Sequence, residues 1–287
     1  MVVKRYLNYI LFFSIIVIIN GCSEPIPWPE SPLYDFSKYD NKLTSVSNID
    51  SIKKQLVGHY GHYDVVSYED STTQSPMFTF VISYGFSDFY LDSVGDLIQS
   101  HSFLRASHKI NQKLTSSEFS DEAVQAIKPI NHKVEVSLKD GKWHILRPPT
   151  PSLLGITGDP SKPLSKDRND PNLSDPDGDG NPGVTVKINI GKIIKGEIYI
   201  TRREIFTHNL TLHNDGSLTG YVKDDSEQFV VGATLKILDQ ASNNFQLPSK
   251  GMNPILLVPI SNEINTLEEL MAIRDEIFPK EPEFFER

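Results

Sequence analysis

The chain has 287 residues, a formal net charge of −9 and one cysteine. Acidity of this kind excludes nucleic acid as a partner, because phosphate backbones demand a basic footprint, and it leaves no polybasic patch to hold a membrane surface. A single thiol excludes an internal disulfide, so stability must come from packing, with a metal as the one available supplement.

At the start, Lys4 and Arg5 precede an apolar run, 10–19, broken only by Ser14, and Ile19-Asn20-Gly21-Cys22 follows directly. This order resembles a bacterial lipoprotein signal ending in a lipobox. The resemblance implies a signal peptide, 1–21, cut before Cys22, a diacylglycerol with palmitate-type chains on Cys22, and attachment of the remainder to a membrane of the cell envelope. Ser23 in place of Asp after the cysteine implies outer-membrane sorting under the enteric rule. Two other readings are an uncleaved anchor, for which the apolar run falls short of the ~20 residues needed to span, and plain secretion with a free thiol. Removal of 1–21 leaves 266 residues and a charge of −11.

Residues 22–50, reading SEPIPWPESPLYDFSKYDN from Ser23 onward, carry spaced prolines and no helical or strand period, which predicts a lipidated tether. Trp28 is either an interfacial anchor or the first contact on the body. From Val57 the chain alternates apolar, β-branched and aromatic residues, predicting strands over 62–70, 77–84, 88–94, 132–138 and 142–147. Asp140-Gly141 is a hairpin turn signal. Residues 120–128, SDEAVQAIK, predict a helix, with Ser120 as N-cap and Pro129 as stop.

The segment 148–174 is rich in Pro, Ser, Asp and Gly and joins two β-rich halves, 51–147 and 175–287, either as a domain linker or as a long loop across one end of a single barrel. After it, strands are predicted over 183–190, 195–205, 208–214, 217–224, 227–238 and 255–260, with Asp215-Gly216 as a second short turn. A closing helix over 266–277 starts at a Thr266/Glu269 capping box and ends before Pro279, with Leu267, Leu270, Met271 and Ile277 near one face. The expected fold is all-β: one antiparallel barrel or sandwich of lipocalin-like type, with the C-terminal helix packed on it.

The sharpest chemical signal is Asp175-Pro176-Asp177-Gly178-Asp179-Gly180-Asn181-Pro182-Gly183. Carboxylates at every second position repel one another unless solvated or neutralised by a cation, and the glycines let the backbone curl so that all three point inward. Asp at positions one, three and five, Gly at six and a carbonyl at seven, from Asn181, build the first half of a calcium loop, and hard oxygen ligands favour calcium over zinc or copper. Position twelve is Val186, where an EF-hand needs a bidentate Glu, so this is no EF-hand. Asp170 is the nearest further ligand, with Asp167 and Asn172 behind it. The competing reading is a solvated turn made of common turn residues. A haloacid-dehalogenase nucleophile is disfavoured because an apolar strand should precede the first Asp, and 170–174 is polar.

The run DPDGDGNPGVTVKI, with GEIYITRR at 196–203 and EQFVVGA at 227–233, resembles a family of uncharacterised secreted proteins and lipoproteins of Gram-negative bacteria, including myxobacteria, over roughly 170–238. That resemblance implies a D-x-D-G-D-G-x-P-G-V-T-V loop leading into strands and implies no activity. Gly58-His59-Tyr60 is loosely similar to the first strand of lipocalin-like barrels, with Tyr60 where those carry Trp.

His59 and His62 are the best alternative metal pair, although residues three apart on a strand face opposite sides unless a bulge at Gly61 turns them together. His101, His108, His132, His144, His208 and His213 lack ligand spacing and read as structural or solvent-facing. Tyr84, Phe86, Phe89 and Tyr90 line either an apolar cavity or the core. HExxH, GxSxG, P-loop and GxGxxG patterns do not occur. Two functions follow. One is a non-enzymatic envelope lipoprotein that binds a small apolar ligand or a protein, with calcium at the acidic loop. The other is a metal-dependent envelope hydrolase in which His59 or His62 joins the acidic loop.

Overall fold

The computed structural model describes residues 27–39, 48–71, 77–112, 114–191, 193–239 and 244–284. The signal segment and Cys22 lie outside the described residues. The chain is all-β, 48% strand and 12% helix. Among the described residues no helix is long and apolar enough to cross a membrane.

Helix α1 (Ile49–Leu56), capped by the Asn48 side chain accepting from the Asp50 N–H, leads into three long strands, β1 (Gly58–Asp70), β2 (Met77–Leu91) and β3 (Leu97–Ile110). The two strands predicted over 77–94 are one, β2, running past a register shift at Tyr84/Gly85 opposite β3. Then come β4 (Thr115–Phe119), α2 (Asp121–Gln125), β5 (Ile130–Lys133), β6 (Glu135–Lys139), β7 (Lys142–Arg147) and the short β8 (Ser152–Leu154). Ser120 caps α2 as expected, and Asp140 (φ 51°) with Gly141 (φ 74°) turns β6 into β7 in the left-handed conformation that tight hairpins require. The second half supplies β9 (Val184–Ile190), β10 (Ile194–Glu204), β11 (Phe206–Leu212), β12 (Leu218–Asp224), β13 (Glu227–Ala233), β14 (Asn244–Gln246) and β15 (Pro254–Pro259). The closing helix is two short pieces, α3 (Leu267–Ala272) and α4 (Arg274–Ile277), and the Thr266/Glu269 capping box forms.

The strands follow the path β13-β10-β9-β4-β3-β2-β1-β15-β12-β11-β7-β6. The path curls back on itself. β5 pairs with β3 and continues through Val134, whose N–H donates to the Leu97 carbonyl at 2.9 Å, into β6, the partner of β7. A barrel-like antiparallel wall results, drawing strands from both halves of the sequence. The segment 148–174 joins them without separating them: Ser152–Leu154 pairs with β10 and Ile156 bridges Leu173.

Alternation along each strand divides the wall into two faces. Inside, Tyr60, Val66, Phe89, Leu97, Trp143, Ile145, Leu210, Leu212, Leu218 and Leu257 form one apolar cluster, and α1 closes that end with Ile52 and Leu56. Outside, Tyr63, Val65, Phe80, Ile82, Tyr84 and Phe86 are covered by Leu270 of α3 and by Phe278. The part of the tether that is described, 27–39, also lies on this outer face. Trp28 stacks on Phe78 with ring centroids 4.7 Å apart, and the Tyr34 and Tyr63 hydroxyls meet at 2.6 Å. β4, β9, β10 and β13 extend the sheet as a wing with its own cluster around Val184, Val186, Ile200 and Val230.

Candidate functional site

The acidic loop precedes β9 on the wing. Gly178 (φ 71°) and Gly180 (φ 88°) take the left-handed turns the sequence anticipates, and the Gly183 N–H closes the loop on the Ser174 carbonyl at 2.7 Å. Gly183 must be glycine. Its φ is 95°, and an added Cβ would lie 2.6 Å from the Ile200 carbonyl oxygen. Ligand oxygens of Asp175, Asp177 and Asp179 all lie within 4.8 Å of one another. Asp175 accepts from the N–H groups of Gly178, Asp179 and Gly180 at 2.7, 3.2 and 2.8 Å. Asp179 accepts from the Asn181 N–H at 2.8 Å and the Thr185 hydroxyl at 2.5 Å, and Asp177 Oδ2 from the Thr185 N–H at 2.9 Å. Asp177 Oδ1 is buried without a partner. Burial raises the Asp177 carboxyl above its ordinary pKa, with Asp179 adding to the shift. At Asp179 burial also pushes upward, but the Thr185 and Asn181 donors outweigh it and the net shift is down.

Asp170 is not part of this group. Its Oδ1 accepts from the Asn172 backbone and side chain, both at 2.9 Å, in a local turn. No histidine joins the three aspartates among the described residues. His59 instead meets Asp88 at 2.5 Å and the Ile264 carbonyl at 2.8 Å, while His62 points into the barrel, so the two face opposite ways as strand geometry requires.

A second polar constellation occupies the barrel interior beside the apolar cluster. There the scattered-histidine expectation fails: His62, His101, His132 and His208 come together, each at most 5% exposed. The ring centroids of His62 and His101 are 4.4 Å apart, and His208 is 5.8 and 5.7 Å from those two. On β1, His62 Nε2 meets Asp64 Oδ2 at 2.5 Å. Ser87 on β2 sits between rings, its Oγ 3.1 Å from His101 Nδ1 and 3.5 Å from His62 Nδ1, and it accepts from Gln99 Nε2 at 3.0 Å. Arg147, at the end of β7 and 3% exposed, donates to His208 Nε2 at 2.9 Å and His132 Nε2 at 2.8 Å.

Burial, then the neighbouring imidazoles and guanidinium, holds His101 well below its ordinary pKa. Burial and Arg147 act likewise on His208 and take His132 down to about 3. Burial lowers Arg147 itself to about 10. Asp64, His62 and Ser87 have the order of a nucleophile triad, with Ser87 0% exposed and its Oγ 3.5 Å from His62 Nδ1. Although their centroids lie close, the three rings do not bring one nitrogen each to a common point, and only the aspartates do so among the described residues.

Beside the histidines a narrow cavity of about 10 Å3, on the order of one water, is lined by His101, His132 and Arg147, by Phe103, Ile130 and Phe206, and by Glu204 and Lys128. Of the aromatics suggested as cavity lining, Tyr84 and Phe86 pack outside, Phe89 lies in the apolar cluster and Tyr90 is exposed.

No protein-family model, curated protein or solved structure matches this chain.

Proposed function

We propose that the protein is a lipid-anchored, non-enzymatic binding or structural module of a bacterial cell envelope, held at the outer membrane through Cys22, with a structural calcium ion at Asp175, Asp177 and Asp179. Its barrel serves as a lipocalin-like container for a small ligand, or its surface serves a protein partner. The observation that carries the calcium reading is the convergence of three carboxylates within 4.8 Å with Asp177 Oδ1 buried and unpartnered. A buried carboxylate oxygen without a donor is costly unless a cation meets it.

The test is calorimetric titration of calcium into the chelator-treated full-length chain in detergent, with Asp177→Ala/Asp179→Ala as control. The expected result is saturable binding confined to the wild type, with stabilisation of about 2.7 kcal/mol at a hundredfold excess over Kd. No heat and no rise in melting temperature would reduce the loop to a turn. For the anchor, Cys22→Ser should leave the precursor unlipidated by mass spectrometry and absent from the membrane fraction; a variant that remains lipidated would overturn that part.

A further inference from the structure

The strap on the outer face has a direction. It starts at Trp28, whose ring lies against Phe78 and Phe80 near the beginning of β2, with centroids 4.7 and 5.1 Å away. Further along, the Leu33 N–H donates to the Gly251 carbonyl, the Tyr34 hydroxyl meets Tyr63, and Tyr39 reaches the His213 ring at 5.5 Å. Phe78 pairs with Glu69, near the end of β1. Leu212, beside His213, connects through Leu218 and Leu257 to His62, near its beginning. The strap therefore crosses the sheet from end to end, and the chain before Trp28 leaves where β1 finishes and β2 starts. Trp28 follows Cys22 by six residues, a span of at most about 22 Å when fully extended. A lipid on Cys22 thus holds this end of the barrel close to the bilayer and not on a long free stalk.

The same end exposes apolar side chains. Thr79 pairs with Ile110, Thr115 with Ile190 and Ile190 with Ile194, so the ends of β2, β3, β4, β9 and β10 share one rim, where Asn244 of β14 also pairs with Asp70. The segment after β13 folds back onto it, the Thr234 N–H donating to the Glu197 carbonyl at 2.9 Å. On this rim Leu114 is 70% exposed, Ile193 93%, Ile237 52%, Phe245 45% and Leu235 37%. The opposite end exposes Ile49, Val57, Tyr90, Val94 and Leu138, but charge separates the two. There the apolar residues stand among Asp50, Asp92, Asp96 and Asp140 as well as lysines. On the rim the tips read QKLT (112–115), GKIIKG (191–196) and TLKIL (234–238), with lysines and no carboxylate. Asp239, next along, is bound to Arg168.

We propose that this rim rests in the headgroup layer of an anionic bilayer, with Leu114, Ile193, Leu235 and Ile237 at the acyl boundary and the exposed Lys195 and Lys236 facing lipid phosphates. Lysines beside apolar tips suit that layer, since their stems lie along apolar surface while the charge meets anionic headgroups. The barrel is then held in one orientation, its α1 end away from the membrane. The inference rests on the lipid anchor at Cys22 but on neither the calcium loop nor the histidine layer.

Cys22 is the only thiol in the chain and lipidation blocks it, so Ile193→Cys and Val94→Cys each accept a single spin label in the lipidated protein. Both are exposed turn positions. The labelled proteins are reconstituted into vesicles of phosphatidylethanolamine and phosphatidylglycerol and probed by collision with oxygen, which concentrates in lipid, and with a water-soluble nickel chelate. The label at 193 should lie about 5–10 Å into the headgroup and acyl boundary, as interfacial elements do, shielded from the chelate and open to oxygen, while the label at 94 shows the reverse. Lys195→Glu/Lys236→Glu should draw the 193 label back toward water. A 193 label as open to the chelate as the 94 label would overturn the docking. Shielding from both probes would mean that protein, not lipid, covers the rim and would overturn the bilayer assignment. Mass spectrometry of the same samples separates the two readings: lipid on Cys22 with a water-exposed 193 label sinks the rim alone, whereas an unlipidated Cys22 sinks the anchor and this orientation with it.

Discussion

The two levels of the barrel interior are built from the same strands to opposite ends. Toward α1, inward positions hold Tyr60, Phe89, Leu97, Trp143, Leu212 and Leu257, a packed apolar cluster. A few residues along, the same alternation delivers His62, Ser87, Gln99, His101 and Arg147, buried as deeply. Burying apolar area stabilises at about 25 cal/mol per Å2, whereas burying polar groups contributes little even when every bond is made and costs free energy when some are not. One level holds the fold together. The other carries buried polar atoms without partners and weakens it.

The largest expected effects lie in the apolar level. Phe89→Ala, at a residue 2% exposed, should cost about 3–5 kcal/mol, the usual range for emptying a buried aromatic site, measured by urea unfolding. Trp143→Ala should behave likewise. On the same strand and the same face, Arg147→Met removes a buried charge but leaves His208 Nε2 and His132 Nε2 without their donor, so it should cost about 1–2 kcal/mol, less than emptying the aromatic site. A loss of several kcal/mol from Arg147→Met alone would show that the polar level also carries the fold and would dissolve the contrast.

The pH dependence sharpens the same comparison at intermediate size. His101, His132 and His208 stay neutral when folded and take a proton near 6.5 once unfolded. Their contribution is therefore complete above pH 6.5 and is lost as pH falls toward their folded values, which for His132 means down to about 3. At pH 5 His132 should cost about 2 kcal/mol relative to pH 7.5, and His101 and His208 should add to the loss in the same direction. Glu204 pulls the other way, since burial raises its carboxyl. Stability that rises on acidification to pH 5 would mean the histidines are not held neutral.

These two levels were not equally legible in the sequence. The apolar one announces itself by alternation, as in Lys142–Arg147 (KWHILR), and the acidic loop is contiguous, so both could be read along the chain. The histidines are brought together by pairings between distant strands, such as His62 with Gly85 and His208 with Arg147. β3 escaped notice for the same reason that it matters: its inward positions mix Leu97 with Gln99 and His101, which blurs the two-residue period. A usable signal was present. Arg147 continues the inward series Trp143, Ile145, and His208 opens the series Leu210, Leu212, and a polar side chain in register with buried apolar ones marks a buried polar site. α1 was missed because three of its eight residues are charged and only Ile52 and Leu56 are buried.

The smallest predicted effect tests whether the two levels are independent. α1 closes the apolar end through Ile52 and Leu56, and its first turn depends on Asn48 Oδ1 accepting from the Asp50 N–H at 2.8 Å. Asn48→Ala removes that acceptor and should cost about 1 kcal/mol. The loss should be local, because neither Asn48 nor α1 touches the histidine layer through any bond described above. In hydrogen exchange, the amides of 52–57 should lose protection while those of β7 and β11 beside Arg147 and His208 keep theirs. If instead the β7 and β11 amides lose protection by the same amount, the plug and the polar level open as one cooperative unit, and the division of labour inside the barrel is a difference of composition only.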